Sequence, residues 1–172
     1  AFLLHQLILK SAQRTPDAPA LFFKQYTWRY RELREQCGRV ASGLRALGVE
    51  RDERVAVYLP KQFETVSAMF GIFAAGGVFV PVNPILKPEQ VGHILRDCAT
   101  RILITSTDRA LMLGDTLAAC PDLTQVIVTG VGSDEAFSSH FQEVIEWADM
   151  LGPLDLPVLR RIDGDIAAIL YT

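Results

Sequence analysis

At 172 residues and 19.1 kDa, with 49% hydrophobic and 22% charged residues, the chain is long enough for one substantial core and has an ordinary globular composition. Its formal net charge of −3, with both signs interspersed and no basic block, argues against nucleic acid as the partner. The longest apolar stretch, MFGIFAAGGVFVPV, is broken by three glycines and a proline, too short to span a bilayer.

The chain opens with AFLLHQLILKSAQ, which lacks the basic start and small-residue cleavage site of a secretory signal and reads as an amphipathic helix over 2–14. Pro16 and Pro19 in RTPDAP forbid its continuation. ALFFK and YTWRY are short strand candidates joined as a hairpin. From Tyr30 to Leu47 the apolar positions Leu33, Cys37, Val40, Ala41, Leu44 and Leu47 recur at helical spacing, and Gly48 supplies the stop. RVAVYL (54–59) reads as a buried strand and FETVSAMFGIFAAGG (63–77) as a helix ending in Gly76 and Gly77. Pro81 interrupts VFVPV, which makes that strand an edge or a bend.

KPEQVGHILRDC predicts a helix with Pro88 early in it, where the missing N–H costs little. RILITS (101–106) is a strand, DRALMLGDTLAAC a helix and QVIVTG (125–130) a strand. SSHFQEVIEWAD reads as a helix with a serine cap, and a proline-rich passage leads to Ile166–Leu170, read as a fully buried final strand. Repeated alternation of strand and helix implies an α/β fold with a largely parallel, doubly wound sheet and flanking helices. A subdomain boundary near residue 60 is compatible with this order, although nothing there resembles a linker.

Cys37, Cys98 and Cys120 are odd in number, widely spaced and without a CxxC, which favours reduced core residues and a cytoplasmic setting over a disulfide framework or zinc site. Gly130 and Gly132 follow a strand, but the third position of a dinucleotide-binding GxGxxG is Glu135, whose carboxylate would repel a pyrophosphate. His140 and Glu143 could share a helix face, yet no third ligand accompanies them and a solvated face accounts for both. His5 and His93 stand alone, and no serine sits in a GxSxG. The pairs Asp52/Glu53 and Asp134/Glu135 fall in turn contexts. These residues form no self-sufficient catalytic constellation.

Three stretches, in order and at natural spacing, carry a resemblance. YTWRYRELREQCGRVASGLRALGV, then MFGIFAAGGVFVPVNPILKPEQVGHILRDC, then DIAAILYT together resemble the opening of the adenylate-forming superfamily, which includes acyl-CoA synthetases, peptide-synthetase adenylation domains and beetle luciferases. The resemblance covers residue 2 to the end. It implies the first part of an N-terminal AMP-binding domain, a single truncated piece over 1–172, whose last strand feeds a Gly/Ser/Thr-rich loop that holds the phosphates of ATP. Tyr171 and Thr172 match the entry to that loop.

Trp28, Tyr30, Glu32 and Leu33 match one family segment and Gly76, Gly77, Pro81, Asn83 and Pro84 another; core, capping and turn roles explain all of them. Asn83 and its neighbours look more like acyl-CoA ligases than like peptide-synthetase adenylation domains. The resemblance therefore implies ATP, Mg2+, CoA and a small carboxylate as ligands of a full-length enzyme. The chain alone is expected to be inactive, to bind none of them and to self-associate through its uncovered last strand. A complete non-catalytic partner- or nucleotide-binding module is the alternative.

Overall fold

Leu4–Arg14 form the first helix, α1, which presents His5, Ile8 and Ala12 inward and ends where the Thr15 N–H donates to Ser11 O (2.8 Å), just before Pro16. In this computed structural model the described residues are 3–130, 143–154 and 164–172. They fall into two compact units: the described parts of Ala1–Asp52, Lys61–Val78 and Leu151–Ala167, and those of Glu53–Pro60, Phe79–Met150 and Ala168–Thr172.

In the first unit, β1 (Pro19–Phe23) and β2 (Tyr26–Arg29) form the antiparallel hairpin, with Leu21 opposite Trp28 and Lys24 in the left-handed region (φ 55°) at the turn. α2 (Tyr30–Ala46) follows without a break. Glu32 closes its first turn by accepting the Arg29 N–H (2.6 Å), satisfying a donor that the helix itself cannot. Its apolar stripe, Leu33, Cys37, Val40, Ala41 and Leu44, is buried as the spacing predicts. α3 (Phe63–Ala75) ends at Gly76, whose φ of 98° only glycine adopts without strain. Trp28 lies flat on Phe63 (4.3 Å, 7°) and Phe23 meets the same ring edge-on (5.8 Å, 71°). The hairpin is thereby fixed to α3 by aromatic packing. Gly152 grips α2 from the third segment, its N–H donating to Arg39 O (3.0 Å).

The second unit is built on a five-stranded sheet of β3 (Arg54–Tyr58), β4 (Val78–Pro81), β5 (Ile102–Ser106), β6 (Gln125–Thr129) and β7 (Val144–Glu146), in the order β4-β3-β5-β6-β7. β3 with β5, β5 with β6 and β6 with β7 pair in parallel. Strands buried on both faces read as continuous aliphatic runs, and Ile102, Leu103, Ile104 and Ile127 are fully buried. α4 (Pro88–Asp97) and α5 (Thr107–Ala118, kinked at Gly114) pack Val91, Leu95, Leu113 and Leu117 against Ala56, Leu103 and Val126 of the strands. A four-residue helix, α6 (Trp147–Met150), follows β7.

The expected α/β sheet is present, and Pro81 does end an edge strand. Two expectations fail. The helix read over 138–149 is replaced in its described part by β7 and α6; Val144, Ile145 and Glu146 pair with Val126, Ile127 and Val128, so a free sheet edge overrides local helical spacing. Ile166–Leu170 is no fully buried strand: it makes one parallel bridge, Phe79 to Ala168, with the Ile169 N–H donating to Phe79 O (3.0 Å). Ile166 and Leu170 are 58% and 71% exposed. Apolar runs that short do not define their own burial; the number of partner strands does.

Candidate functional site

Renumbered from its own first strand, the sheet of the second unit runs 2-1-3-4-5. In open parallel sheets of that order, ligands sit outside the carboxyl ends of the strands, at the switch point between the first and third. Here that point lies between β3 and β5, where Tyr58 stands opposite Thr105. The chain leaves β3 through Leu59 and Pro60, and leaves β5 through Ser106 into the start of α5.

The groups at this edge are held by a small set of contacts. The buried Thr105 hydroxyl donates to Tyr58 O (2.9 Å), tying the two strand ends together. The Tyr58 hydroxyl donates to Leu86 O (2.8 Å). Arg109, in the first turns of α5, lays its guanidinium over the Tyr58 ring (4.5 Å to the centroid) and donates to Pro84 O (2.8 Å). Within the loop, Asn83 turns the chain by accepting the Ile85 N–H on its side chain (3.2 Å) and the Leu86 N–H on its backbone oxygen (3.0 Å). The 83–87 loop is thus pinned from both sides, and Ile85 stands at its tip, 83% exposed. Thr107 Oγ1, at the start of α5, is buried without a hydrogen-bond partner among the described residues. The arrangement provides a preorganised wall with hydroxyls at a strand-end crevice, and no nucleophile–base pair.

Asn83 and Pro84 therefore take part in this wall, while the other residues singled out from the sequence are scattered. Tyr171 donates its hydroxyl to the Asp97 carboxylate (2.6 Å), at the end of α4, and packs against the second unit's core. Burial, and then the Asp97 carboxylate, push its phenol above the ordinary value. Thr172 is exposed. Trp28 and Leu33 belong to the aromatic and apolar packing of the first unit, and Tyr30 and Glu32 open α2. Gly76 caps α3 and accepts the Asp52 N–H (3.0 Å), and Gly77 donates to Ile72 O (3.0 Å).

Glu53 pairs with Arg101 (3.3 Å), Glu143 accepts from the Gln125 side chain (2.7 Å), and His93 is exposed on α4. His5 is buried in α1. Cys37, Cys98 and Cys120 are buried free thiols. Gly132, Asp134, Glu135 and His140 lie outside the described residues. Tyr58 and Arg109 escaped sequence reading: Tyr58 sat inside an aliphatic strand and Arg109 in an ordinary helix start, and only the fold brings them together. Among the described residues no three His, Cys, Asp or Glu side chains converge on a metal site, and no glycine-rich phosphate loop stands at the switch point.

The architecture and the position of its ligand-side edge define an open, parallel α/β protein. The family model for AMP-binding enzymes matches residues 8–172, and the chain belongs to that family. Surfactin synthase subunit 1 of Bacillus subtilis (strain 168) is 35% identical over 125 residues, which are 73% of this chain and 3% of that protein. Phenyloxazoline synthase MbtB of Mycobacterium tuberculosis is 38% identical over 130 residues, 69% of this chain and 9% of that one. Among solved structures, the anthranilate CoA ligase AuaEII in complex with anthranoyl-AMP superposes with a TM-score of 0.90 at 24% identity, over 99% of this chain and 32% of its own. VinN with 3-methylaspartate gives 0.77 at 27% identity, over 99% and 44%. The chain thus spans a few per cent of these curated relatives and less than half of these solved chains.

Proposed function

We propose that this chain is the opening part of an N-terminal AMP-binding domain in an enzyme that activates a carboxylic acid with ATP and passes the acyl group to CoA. In that reaction a carboxylate oxygen attacks the α-phosphorus and pyrophosphate leaves; a thiolate then attacks the acyl carbon and AMP leaves. The observation that carries the reading is the family match over nearly the whole chain, on a fold that superposes with an AMP-ligand-bound CoA ligase. Asn83-Pro84, whose sequence context favours the CoA branch, lies in the pinned loop at the switch point.

The described residues do not by themselves fit ATP and Mg2+: they contain neither the metal-ligand set nor the phosphate loop. Tyr171 and Thr172 are proposed as the entry to that loop, and no step is derived through them. A second reading, transfer to a carrier-bound phosphopantetheine, is favoured by the identity to multi-modular synthases such as surfactin synthase subunit 1. The three reduced cysteines favour a cytoplasmic setting, and no described helix is long and apolar enough to cross a membrane.

Carboxylate-dependent ATP–pyrophosphate exchange tests the reading. Exchange is expected from a longer protein that carries this segment and none from the 172 residues alone. Offering CoA and a free carrier protein in parallel separates the branches: acylation of the carrier with none of CoA would move the assignment to the synthase type. Self-association of the 172-residue chain is part of the same proposal, supported by the exposure of Ile166 and Leu170. Sedimentation equilibrium across a wide concentration range checks it, and a strictly monomeric chain would refute it.

A further inference from the structure

The last segment of the second unit, Ala168–Thr172, lies beside β4 with its side chains alternating. Ile169 and Tyr171 pack against that unit's core, whereas Leu170 is 71% exposed and Thr172 is exposed too. A period of two is what a strand with one face on a core produces. Strand pairing nevertheless stops almost at once, and the sequence says why. The Val82 N–H donates to Val57 O (3.0 Å), so the even-numbered residues of this stretch direct their backbone groups towards β3. The odd-numbered ones face the other way, and Phe79 O accepts the Ile169 N–H (3.0 Å). The next donor on that side would be residue 81, which is proline and has no N–H. Pro81 thereby withholds the bond that a continued ladder would give to Ile169 O.

A side chain supplies what the backbone does not. Two residues past Ile169, the Tyr171 hydroxyl donates to Asp97 Oδ2 at 2.6 Å. That length belongs to charge-assisted O–H···O⁻ bonds, which are stronger than their neutral counterparts. Asp97 is the last residue of α4, where the negative end of the helix dipole disfavours a carboxylate and increases its need of a donor. The helix end itself is fixed. Arg54 donates to Cys98 O through Nε (2.6 Å) and to Ala99 O through Nη2 (3.1 Å), and the Thr100 N–H donates to Leu95 O (2.9 Å). The acceptor is thus anchored to the sheet, while the donor belongs to a segment with an isolated bridge.

We infer that Ala168–Thr172 is a strap closed by a side-chain latch, Tyr171 on Asp97, and that it opens and closes on the second unit without the sheet unfolding. Segments with few backbone hydrogen bonds open at a small fraction of the cost of a buried strand. The strap and the buried strands β5 and β6 are therefore different cooperative units. Within the strap the latch sets the closed fraction, because one hydrogen bond is a large part of what holds so short a segment. No ligand enters this device, which stands apart from the adenylation reading.

Amide hydrogen exchange of the full 172-residue chain, followed by NMR, tests it. The reporter is the Ile169 N–H, bonded to Phe79 O while the strap is closed, with Ile104 and Ile127 as controls in the buried strands. Tyr171→Phe keeps the ring on the core and removes the donor. Ile169 exchange is expected to rise about three- to tenfold in this variant while the controls stay unchanged. Asp97→Ala should give the same rise, and the double variant no more than either alone, since both remove one bond. Asp97→Asn leaves a neutral acceptor on an intact helix end and should fall in between, which guards against a disturbed α4 in the alanine variant. An Ile169 amide unprotected in the unaltered chain overturns the closed strap. Unchanged Ile169 exchange in Tyr171→Phe overturns the latch, as does a double variant whose effect is the product of the single ones. A parallel rise at Ile104 and Ile127 overturns the strap as a separate device, because the bond would then stabilise the whole unit.

Discussion

The helical unit and the sheet unit solve the same packing problem with different residues. In the sheet unit, strands stand about 4.8 Å apart whatever their side chains, so Val55, Ile102, Ile104 and Ile127 can be chosen purely for volume and leave nothing exposed. In the helical unit, the residues set the distance itself. Gly71 of α3 lets the Val40 side chain of α2 come so close that an added Cβ would meet the Val40 Cβ at 2.6 Å. Ala41 and Ala74, nearly as small, line a cavity of about 200 Å³ instead. A small residue on a helix therefore specifies neither contact nor void; the neighbours on its flanks decide which.

Four substitutions break or sharpen that contrast. Ile104→Ala deletes a fully buried side chain from the central strand and is expected to cost about 2–5 kcal/mol, read from the urea midpoint, because a sheet cannot collapse into the gap. Gly71→Ala forces α2 and α3 apart against Val40 and against Cys37 O, 3.2 Å from the new carbon, and should cost about 1–3 kcal/mol by the same measurement. A tolerated Gly71→Ala would show that the helices slide freely and that the contrast is wrong.

Tyr58→Phe keeps the ring under Arg109 and removes only the bond to Leu86 O, an expected loss of about 0.5–1.5 kcal/mol. Amide exchange of the 83–87 loop should rise in this variant, while exchange in the strands stays unchanged.

Near neutrality, the effect of a buried thiol is nil, and it appears only at alkaline pH. Burial pushes the Cys37 thiol from its ordinary 9.0 up to about 12, so the folded chain holds this proton more tightly than the unfolded one. The resulting stability is fully present below the unfolded pKa and is lost as pH rises between about 9 and about 12, at no more than about 1.4 kcal/mol per pH unit. Cys37→Ala should flatten that slope and leave the pH dependence near neutrality unchanged. Paired urea titrations at about pH 8 and about pH 10 check it.

The sequence made most of the first unit legible. The α2 stripe from Leu33 to Leu44, the hairpin between two aromatic runs and the glycine stop at Gly76 are each set by local rules of period and backbone geometry. Legibility fell where pairing decides. Val144–Glu146 sits in a stretch with helical spacing, yet β6 offers an open parallel edge and takes it as a strand. Ile166–Leu170 has the composition of a central strand, yet among the described residues it is tied by an isolated bridge from Ala168 to Phe79. At the site, Asn83 and Pro84 were visible as a turn, because turn chemistry is local. Arg109 on Tyr58 was not, because a cation over a ring leaves no trace in the composition of either segment.

The way the chain alternates between its two units bears on how it is made. The first unit draws its last segment from Leu151–Ala167, after the whole of Phe79–Met150 has been assigned to the other. At about 5–20 residues per second, a ribosome needs on the order of 4–14 s to add that intervening stretch. Throughout that interval the nascent α2 lacks the Gly152 strap that its Arg39 carbonyl and guanidinium will receive. The helical unit is encoded first and completed late, so the last contacts on α2 form only after the central strands have been synthesised.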